Sequence, residues 1–223
     1  MNEEKEKILN YALERFLSKG FYKTSMDDVA AGMHVSKKTI YKHFRSKNKL
    51  VKEVSHSLVS INHSIILEKV HSEGNSVEKL FNIMQHVGKI LMKVSPQMLH
   101  DLQMHIPSVW KQIDEFRTKK MSFFLREIFE QGKKEKNFIN ENTDILISVF
   151  ISSIRGVVNP EFSSNYKVSM QAALQATIEI LLNGILTDKG KKFLINLKTE
   201  LVNEKSNFNS NIIFGGIFWR VHA

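Results

Sequence analysis

Apolar side chains recur at steps of three and four residues through most of this 223-residue chain, and only three prolines and ten glycines interrupt them. That spacing is the period of an α-helix with one buried face, whereas a half-buried strand would alternate apolar and polar residues. The pattern therefore predicts an all-α protein. Its segments divide into a head over residues 1–46, a larger helical domain over 47–205, and a tail over 206–223 whose role the sequence does not indicate.

The first short helix of the head is predicted to begin near Ser25. Thr24 and Ser25 can each cap a helix, because a hydroxyl accepts a hydrogen bond from a free backbone N–H. Asp27 and Asp28 follow them by three residues, as a capping box requires. The stripe that this helix should bury consists of Met26, Val29, Ala30 and Met33. An earlier amphipathic segment over residues 8–17 ends at Gly20, so we expect three helices in the head.

A second short helix is predicted after a turn at His34 and Val35. Ser36 is its expected cap, and Ile40 and Phe44, four residues apart, would anchor it to the core. Two short helices joined in this way, after a first helix, are typical of a helix-turn-helix head.

The opposite face of this second helix offers cations, hydroxyls and an aromatic ring, which suit phosphates and base edges in a DNA major groove. Lys37 and Lys38 are the candidates for guanine edges, and Thr39 and Tyr41 for phosphate or a thymine methyl group. Lys47 opens the next helix, where free backbone amides favour a phosphate. The full predicted DNA-contact set is Thr24, Ser25, Ser36, Lys37, Lys38, Thr39, Tyr41, Lys42, His43 and Lys47.

The charge of the chain supports double-stranded DNA as the leading partner. Residues 1–50 hold eleven Lys and Arg and six Asp and Glu, a net +5 within a chain of formal charge +9. Basic charge is thus concentrated in the head, where DNA would bind. The alternative interpretation of this face is a solvated basic helix surface without a DNA role.

Residues 7–52 resemble the DNA-binding domain of the TetR family of bacterial transcriptional regulators. The shared order consists of Thr24-Ser25-Met26, Ala30-Ala31, Val35-Ser36, Thr39-Ile40-Tyr41, His43-Phe44 and Ser46-Lys47. The chain departs from many members at His34 and Lys38, where they carry glycine. Since His tolerates a positive φ better than most residues, the turn at His34 should survive.

The resemblance implies a homodimeric regulator, most often a repressor, that places two heads on a near-palindromic operator and is released by a small ligand. Two wide apolar segments, 144–158 and 168–186, end the predicted helical pattern and suit a self-associating interface. In the family such a pair forms a four-helix bundle across a two-fold axis. The predicted interface residues are Leu146, Val149, Phe150, Leu174, Ile178, Leu181, Leu182 and Ile185.

The middle of the chain is rich in large apolar residues that could surround a small apolar or amphipathic effector, as the resemblance implies. Pockets of this kind lie between the helices of a bundle and are mostly apolar. Each residue taken alone is better explained as core. The candidates are Phe81, Met84, Met98, Leu102, Trp110, Phe116 and Phe124. A helix capped by Ser76 should carry the first two.

Other function classes lack a motif in this sequence. There is no cysteine, and no two of the nine histidines have the i, i+4 spacing of a helical metal site, so neither metal nor cofactor is expected. No phosphate loop or nucleophile elbow is present. No apolar stretch nears the roughly 18 residues of a membrane span, and we expect a soluble cytoplasmic protein.

Two alternatives stay open at this point. The chain could be a DNA-binding regulator that answers to a partner protein or to no ligand. It could also be an enzyme or lipid-binding protein with a vestigial helix-turn-helix, which steep salt dependence of DNA binding would exclude.

Overall fold

The computed structural model describes residues 3–94 and 96–207, and the description below is confined to them. Over these residues the regular structure is helical, with one isolated antiparallel bridge between Phe138 and Leu186. The all-α prediction is confirmed. The helices are α1 Glu3–Lys19, α2 Met26–Gly32, α3 Lys37–His43, α4 Lys47–His71, α5 Ser76–Lys93, α6 Pro96–His105, α7 Pro107–Lys134, α8 Thr143–Val157, α9 Pro160–Asn165, α10 Met170–Ile185 and α11 Asp188–Asn207.

The chain forms two compact units whose boundaries differ from the predicted division at residue 46. The first unit comprises the described residues up to Ser64 together with Lys93–Arg117, and the second comprises Ile65–Met92 and the described residues from Thr118 onward. The first unit therefore takes in the head, most of α4, α6 and the start of α7. The second contains α5, most of α7 and α8 to α11.

The core of the first unit explains why α6 belongs to it. Phe16 of α1, Ile40 of α3 and the residue that ends α3, Phe44, are almost fully buried at its centre. Apolar residues of α6 and α7 pack in the same cluster, namely Met98, Leu102, Ile106 and Val109. A head of three helices thus shares its hydrophobic core with elements that follow it by some fifty residues in sequence, which local patterns do not reveal.

The start of α5 differs from the prediction that Ser76 caps it. The Asn75 side chain accepts hydrogen bonds from the backbone N–H of Val77 at 2.9 Å and of Glu78 at 3.1 Å. Ser76 is fully buried, and its hydroxyl donates to Glu135 at 2.6 Å. Because Asn and Ser are about equally good caps, sequence alone does not decide between neighbours.

The sequence pattern missed α9 and α11. The short helix α9 begins at Pro160, after Asn159, whose side chain accepts from the Glu161 N–H at 2.8 Å. Among the residues of α11 whose burial is described, 188–200, Leu194 is the one large apolar side chain that is buried. The helix therefore lacks the regular apolar spacing by which the other helices were predicted. Gly190 lets α11 pass close to the chain at Asn137, since a Cβ there would lie 2.3 Å from the Asn137 carbonyl oxygen.

The predicted tail begins at 206, inside α11, and residues 208–223 lie outside the described residues.

Helices α8 and α10 pack against each other in the second unit, and this packing uses most of the residues that were predicted for the dimer interface. The side chains of Leu146, Phe150, Leu174, Ile178, Leu181, Leu182 and Ile185 are all buried within the single subunit. Phe150, for example, meets the ring of Phe129 edge to face, with centroids 5.9 Å apart. Of the eight predicted residues, only Val149 is exposed. The most apolar stripe of each helix is used inside the subunit, because burial of apolar surface there needs no partner.

A different face of the same two helices points outward. We call it the outer face of α8 and α10, and its exposed residues are Ile145, Val149, Ser152 and Gly156 on α8 and Ala172, Ala176, Ile180 and Gly184 on α10. They recur at three- and four-residue steps, so each set forms a single stripe along its helix. Nothing lies within 4 Å of where a Cβ would stand on Gly156 or Gly184. The eight residues of this face are uncharged, five of them are Gly, Ala or Ser, and within the single subunit they are exposed to solvent.

None of the described helices combines the length and the apolar character that a membrane span requires.

Candidate nucleic-acid interface

Helix α2 begins with the capping box that the sequence predicted at Ser25 and Asp28. The Ser25 hydroxyl accepts from the Asp28 backbone N–H at 3.0 Å, and the Asp28 carboxylate accepts from the Ser25 backbone N–H at 2.8 Å. The backbone hydrogen bond from Ser25, aided by its hydroxyl, lowers the pKa of Asp28 below its ordinary value. The cap fixes the residue at which the helix-turn-helix starts.

Thr24, which was predicted to cap α2 and to contact DNA, has another role. Its side chain is only 2% exposed, and its hydroxyl donates to the Gly20 carbonyl oxygen at 2.9 Å. Gly20 has φ +79° and closes the loop that follows α1. The Thr24 hydroxyl therefore fastens this loop from inside the head and is not available to a phosphate.

The turn between α2 and α3 has the predicted conformation. His34 adopts φ +56°, in the left-handed region. The backbone N–H of Val35 donates to the Ala30 carbonyl oxygen at 3.0 Å, which closes the turn. The expectation that His34 takes the place of a glycine in this turn is confirmed, and it agrees with the tolerance of His for positive φ.

Helix α3 is capped by Ser36, as predicted. The Ser36 hydroxyl accepts from the backbone N–H of Thr39 at 3.0 Å and also bonds the Thr39 hydroxyl. Ile40 and Phe44 point into the core and are fully buried. The opposite side is exposed and carries Lys37, Lys38, Tyr41 and Lys42, which we call the recognition surface. Tyr41 is 47% exposed although it is aromatic.

Three of the side chains predicted to contact DNA already have partners inside the head. The Lys37 ammonium lies 2.5 Å from Oδ2 of Asp27. The imidazole of His43 lies 2.7 Å from a carboxylate oxygen of Glu4. The Lys47 ammonium donates to the Tyr22 carbonyl oxygen at 2.9 Å. These side chains can meet DNA only by sharing or exchanging these partners.

Partial burial also affects Lys47. Its ammonium lies over the rings of Phe21 and Tyr22, at 5.9 and 5.7 Å from their centroids, which favours a cation. Desolvation lowers the pKa of Lys47, and the charge of Asp101 opposes this effect. Lys47 is the first residue of α4.

Sequence reasoning missed the contacts that tie α6 to the loop before α2. The ring of His105 stacks on Tyr22 with centroids 4.6 Å apart and planes 20° from parallel. Asp101 is buried and accepts a hydrogen bond from Gln97 at 2.6 Å. Contacts between residues some eighty positions apart leave no local signal. The acidic partners Asp27 and Glu4 were likewise not recognised.

The structure does not gather the candidate effector-binding residues in one unit. Met98 and Leu102 are buried in the core of the first unit, and Trp110 packs against it. Phe81, Met84 and Phe124 are buried in the second unit. Phe116 lies on α7, and its side chain is outside what is described. Among the described residues no group of three His, Asp or Glu could hold a metal ion.

Residues 8–54 match the family described as bacterial regulatory proteins, tetR family. The chain is similar over most of its length to the HTH-type transcriptional regulator YvaF of Bacillus subtilis, with 25% identity over 185 residues that cover 82% of this chain and 96% of YvaF. It is also similar to IcaR of Staphylococcus aureus, a negative transcriptional regulator of the biofilm operon icaADBC. That similarity is 26% identity over 80 residues, 36% of this chain and 43% of IcaR.

Solved structures share the fold. A TetR-family regulator from Agrobacterium tumefaciens superposes with a TM-score of 0.65 at 16% identity, covering 82% of this chain and 98% of that one. A transcriptional regulator from Saccharomonospora viridis in complex with choline gives 0.64 at 16% identity, covering 84% and 100%. At such identity the likeness concerns the fold alone. The matched segment spans most of α1, α2, α3 and the start of α4, so the head of this chain carries a tetR-family DNA-binding segment, and most of the chain is similar to an HTH-type transcriptional regulator.

Proposed function

We propose that this protein is a homodimeric repressor that binds a near-palindromic operator through α3 and is released from it by a small apolar or amphipathic ligand. The observation that carries the proposal is the two-sided character of α3. Ile40 is buried on one side, while Lys38, Tyr41 and Lys42 are exposed on the other. A capped helix with an anchored inner face presents its outer side chains in a fixed geometry, which reading of base edges requires.

The proposed DNA contacts form three groups: exposed side chains, residues at helix starts, and side chains that already have a partner within the head. Lys38, Tyr41 and Lys42 are exposed and would reach bases or phosphates directly. Ser25 and Ser36 sit at helix starts, where hydroxyls and amides suit phosphate oxygens, and Thr39 lies beside Ser36. Lys37, His43 and Lys47 would contribute only after exchanging the partners described above. Thr24 is not retained as a contact.

The outer face of α8 and α10 is the proposed dimer interface. Its glycines and alanines allow a second pair of helices to approach closely, and Ile145, Val149 and Ile180 supply apolar area. A two-fold axis through this face would bring four helices together from two subunits. Two heads would then occupy successive major grooves about 34–36 Å apart, so the half-sites should be inverted repeats.

Repression and release by a ligand are supported by two similar proteins. IcaR is named a negative regulator, and the Saccharomonospora viridis protein was solved with choline, a small amphipathic cation. In this chain the buried side chains of Phe81, Met84 and Phe124 offer apolar walls in the second unit. A ligand there would act by binding more tightly to a conformation in which the heads no longer fit both half-sites. The difference between its affinities for the two conformations limits how far it can shift the protein off DNA.

Selection of duplexes from a random pool by the purified protein tests this function. We expect enrichment of two inverted half-sites whose centres lie about 10 base pairs apart, and protection of both by the protein. When the selected sequence is placed at a promoter, addition of the protein should reduce the amount of transcript made in vitro. A pool that shows no enriched sequence, or enrichment of a single unpaired half-site, would contradict the proposal.

A further inference from the structure

A carboxylate lies at the recognition surface itself. Asp27 and Lys37 are 54% and 67% exposed, and their charged atoms lie 2.5 Å apart. The pair links the first turn of α2 to the first residue of α3, where an HTH protein meets the DNA. An acidic group in this position repels DNA phosphates, so a DNA-binding function does not by itself account for Asp27.

Asp27 is not required to start α2. The capping bonds of this helix run between Ser25 and Asp28. An exposed ion pair such as Lys37–Asp27 contributes little to folding stability, since solvent screens it and two long side chains must be held in place. The main effect of Asp27 is therefore on how readily the Lys37 ammonium can leave its partner to meet approaching DNA.

The two kinds of DNA differ in what they offer to Lys37. A duplex without the operator sequence offers phosphates, whose oxygens must displace the Asp27 carboxylate and then tolerate it nearby. An operator offers in addition a base-edge acceptor, such as the O6 and N7 atoms of a guanine. That contact compensates for the loss of Asp27. The hydrogen bond from Lys37 to Asp27 raises the pKa of Lys37, so the ammonium stays charged while it is held.

We propose that Asp27 is a specificity-determining residue, which holds Lys37 and thereby lowers the affinity for non-operator DNA more than the affinity for the operator. This inference rests on the function proposed above. It assigns a role in recognition to a residue that does not itself contact DNA.

The test compares wild type with Asp27→Asn on two duplexes, the operator selected by the wild-type protein and a shuffled sequence of equal length. Asn keeps the size of Asp and removes its charge. On the shuffled duplex we expect binding about two- to fivefold tighter. We also expect a salt slope steeper by about 0.9 in log K against log salt, since one more phosphate is neutralised. The operator should gain less, so the ratio of the two affinities falls.

Two controls separate this role from a change in net charge. Asp188→Asn makes the same change at an exposed residue in the first turn of α11, in the other unit, and should leave both affinities unchanged. Asp27→Asn should also have a much smaller effect when Lys37 is already Ala, because the carboxylate then has no ammonium to hold.

Equal tightening on both duplexes would overturn the inference, as would weaker binding to the shuffled duplex or an undiminished effect in the Lys37→Ala background. Failure of the proposed function has a different signature. In that case the wild-type protein itself would not distinguish the two duplexes.

Discussion

The imidazole Nε2 of His43 lies 2.7 Å from Oε2 of Glu4, across 39 positions of sequence. His43 belongs to the last turn of α3, and its side chain is only 8% exposed. It connects that turn to the first turn of α1, where Glu4 lies. His43 was predicted as a DNA contact from its place in the motif. Its contact with Glu4 indicates that it holds the end of the recognition helix in place.

Glu4→Gln should therefore weaken operator binding by about two- to fivefold, because α3 loses a charged anchor. The hydrogen bond from His43 lowers the pKa of Glu4 below 4.5. A carboxyl group whose pKa is lowered by folding stabilises the fold above its unfolded pKa, and this contribution is lost as the pH falls through the lowered value. Thermal unfolding should thus separate wild type from the variant at neutral pH, and the difference should vanish as the pH falls below the lowered pKa of Glu4.

Glu3→Gln is the matched control for this variant. Glu3 pairs with Lys7 on the same helix at 2.8 Å and has 83% of its side chain exposed. If Glu3→Gln and Glu4→Gln weaken operator binding equally, the effect of Glu4 is one of net charge and the anchoring role is wrong.

Tyr41→Ala should weaken operator binding about tenfold or more, the usual cost of one good base or phosphate contact. Tyr41 is exposed, so the helical content and the melting temperature should be unchanged. Tyr166→Ala removes an exposed tyrosine from the second unit and serves as the control in the same titration. An operator affinity that Tyr41→Ala leaves intact would remove Tyr41 from the recognition surface.

His34→Val should destabilise the protein by about 1–2 kcal/mol, because a β-branched residue is strained at the positive φ of this turn. His34→Gly, which restores the residue that many family members carry, should be as stable as wild type or slightly more so. Chemical denaturation of the three proteins measures the difference. Equal stability of the Val and Gly variants would show that the turn relaxes to another conformation.

Ile180→Glu should convert the proposed dimer to a folded monomer. Ile180 is 72% exposed in the single subunit and stands at the centre of the outer face of α10. A charge there costs nothing in the monomer but would be buried without a partner in the dimer. Sedimentation velocity and circular dichroism together report assembly and folding.

Ile195→Glu, at an exposed isoleucine of α11, is the control and should remain dimeric. Leu181→Glu is a poorer test, because Leu181 is buried within the subunit and the substitution would unfold the protein before it reported on assembly. A dimeric Ile180→Glu protein would exclude the outer face as the interface.

The features that could be predicted from sequence are those set by neighbours within a few positions. The Ser25–Asp28 capping box, the Ser36 cap and the turn at His34 depend on residues three or four apart, and each was found as expected. Family resemblance and local chemistry agreed on this part of the chain.

The features that could not be predicted depend on which elements come together in space. Apolar periodicity identified α8 and α10 as strongly apolar but not which stripe the subunit itself would bury, so the predicted interface included the buried Leu181 and left out the exposed Ile180. Long-range pairs such as Glu4 with His43 have no signature in a single sequence. The polar helix α11 escaped detection because its stability comes from packing and not from a regular apolar stripe.

Sequence-specific binding of DNA by α3 is tested most directly by titration of the wild-type protein with the selected operator and with a shuffled duplex of equal length, each at two salt concentrations. We expect tighter binding to the operator at both salts, with a difference that persists as salt weakens the phosphate contacts common to both duplexes. Equal affinities that fall together as salt rises would contradict it, since the head would then grip only the phosphate backbone.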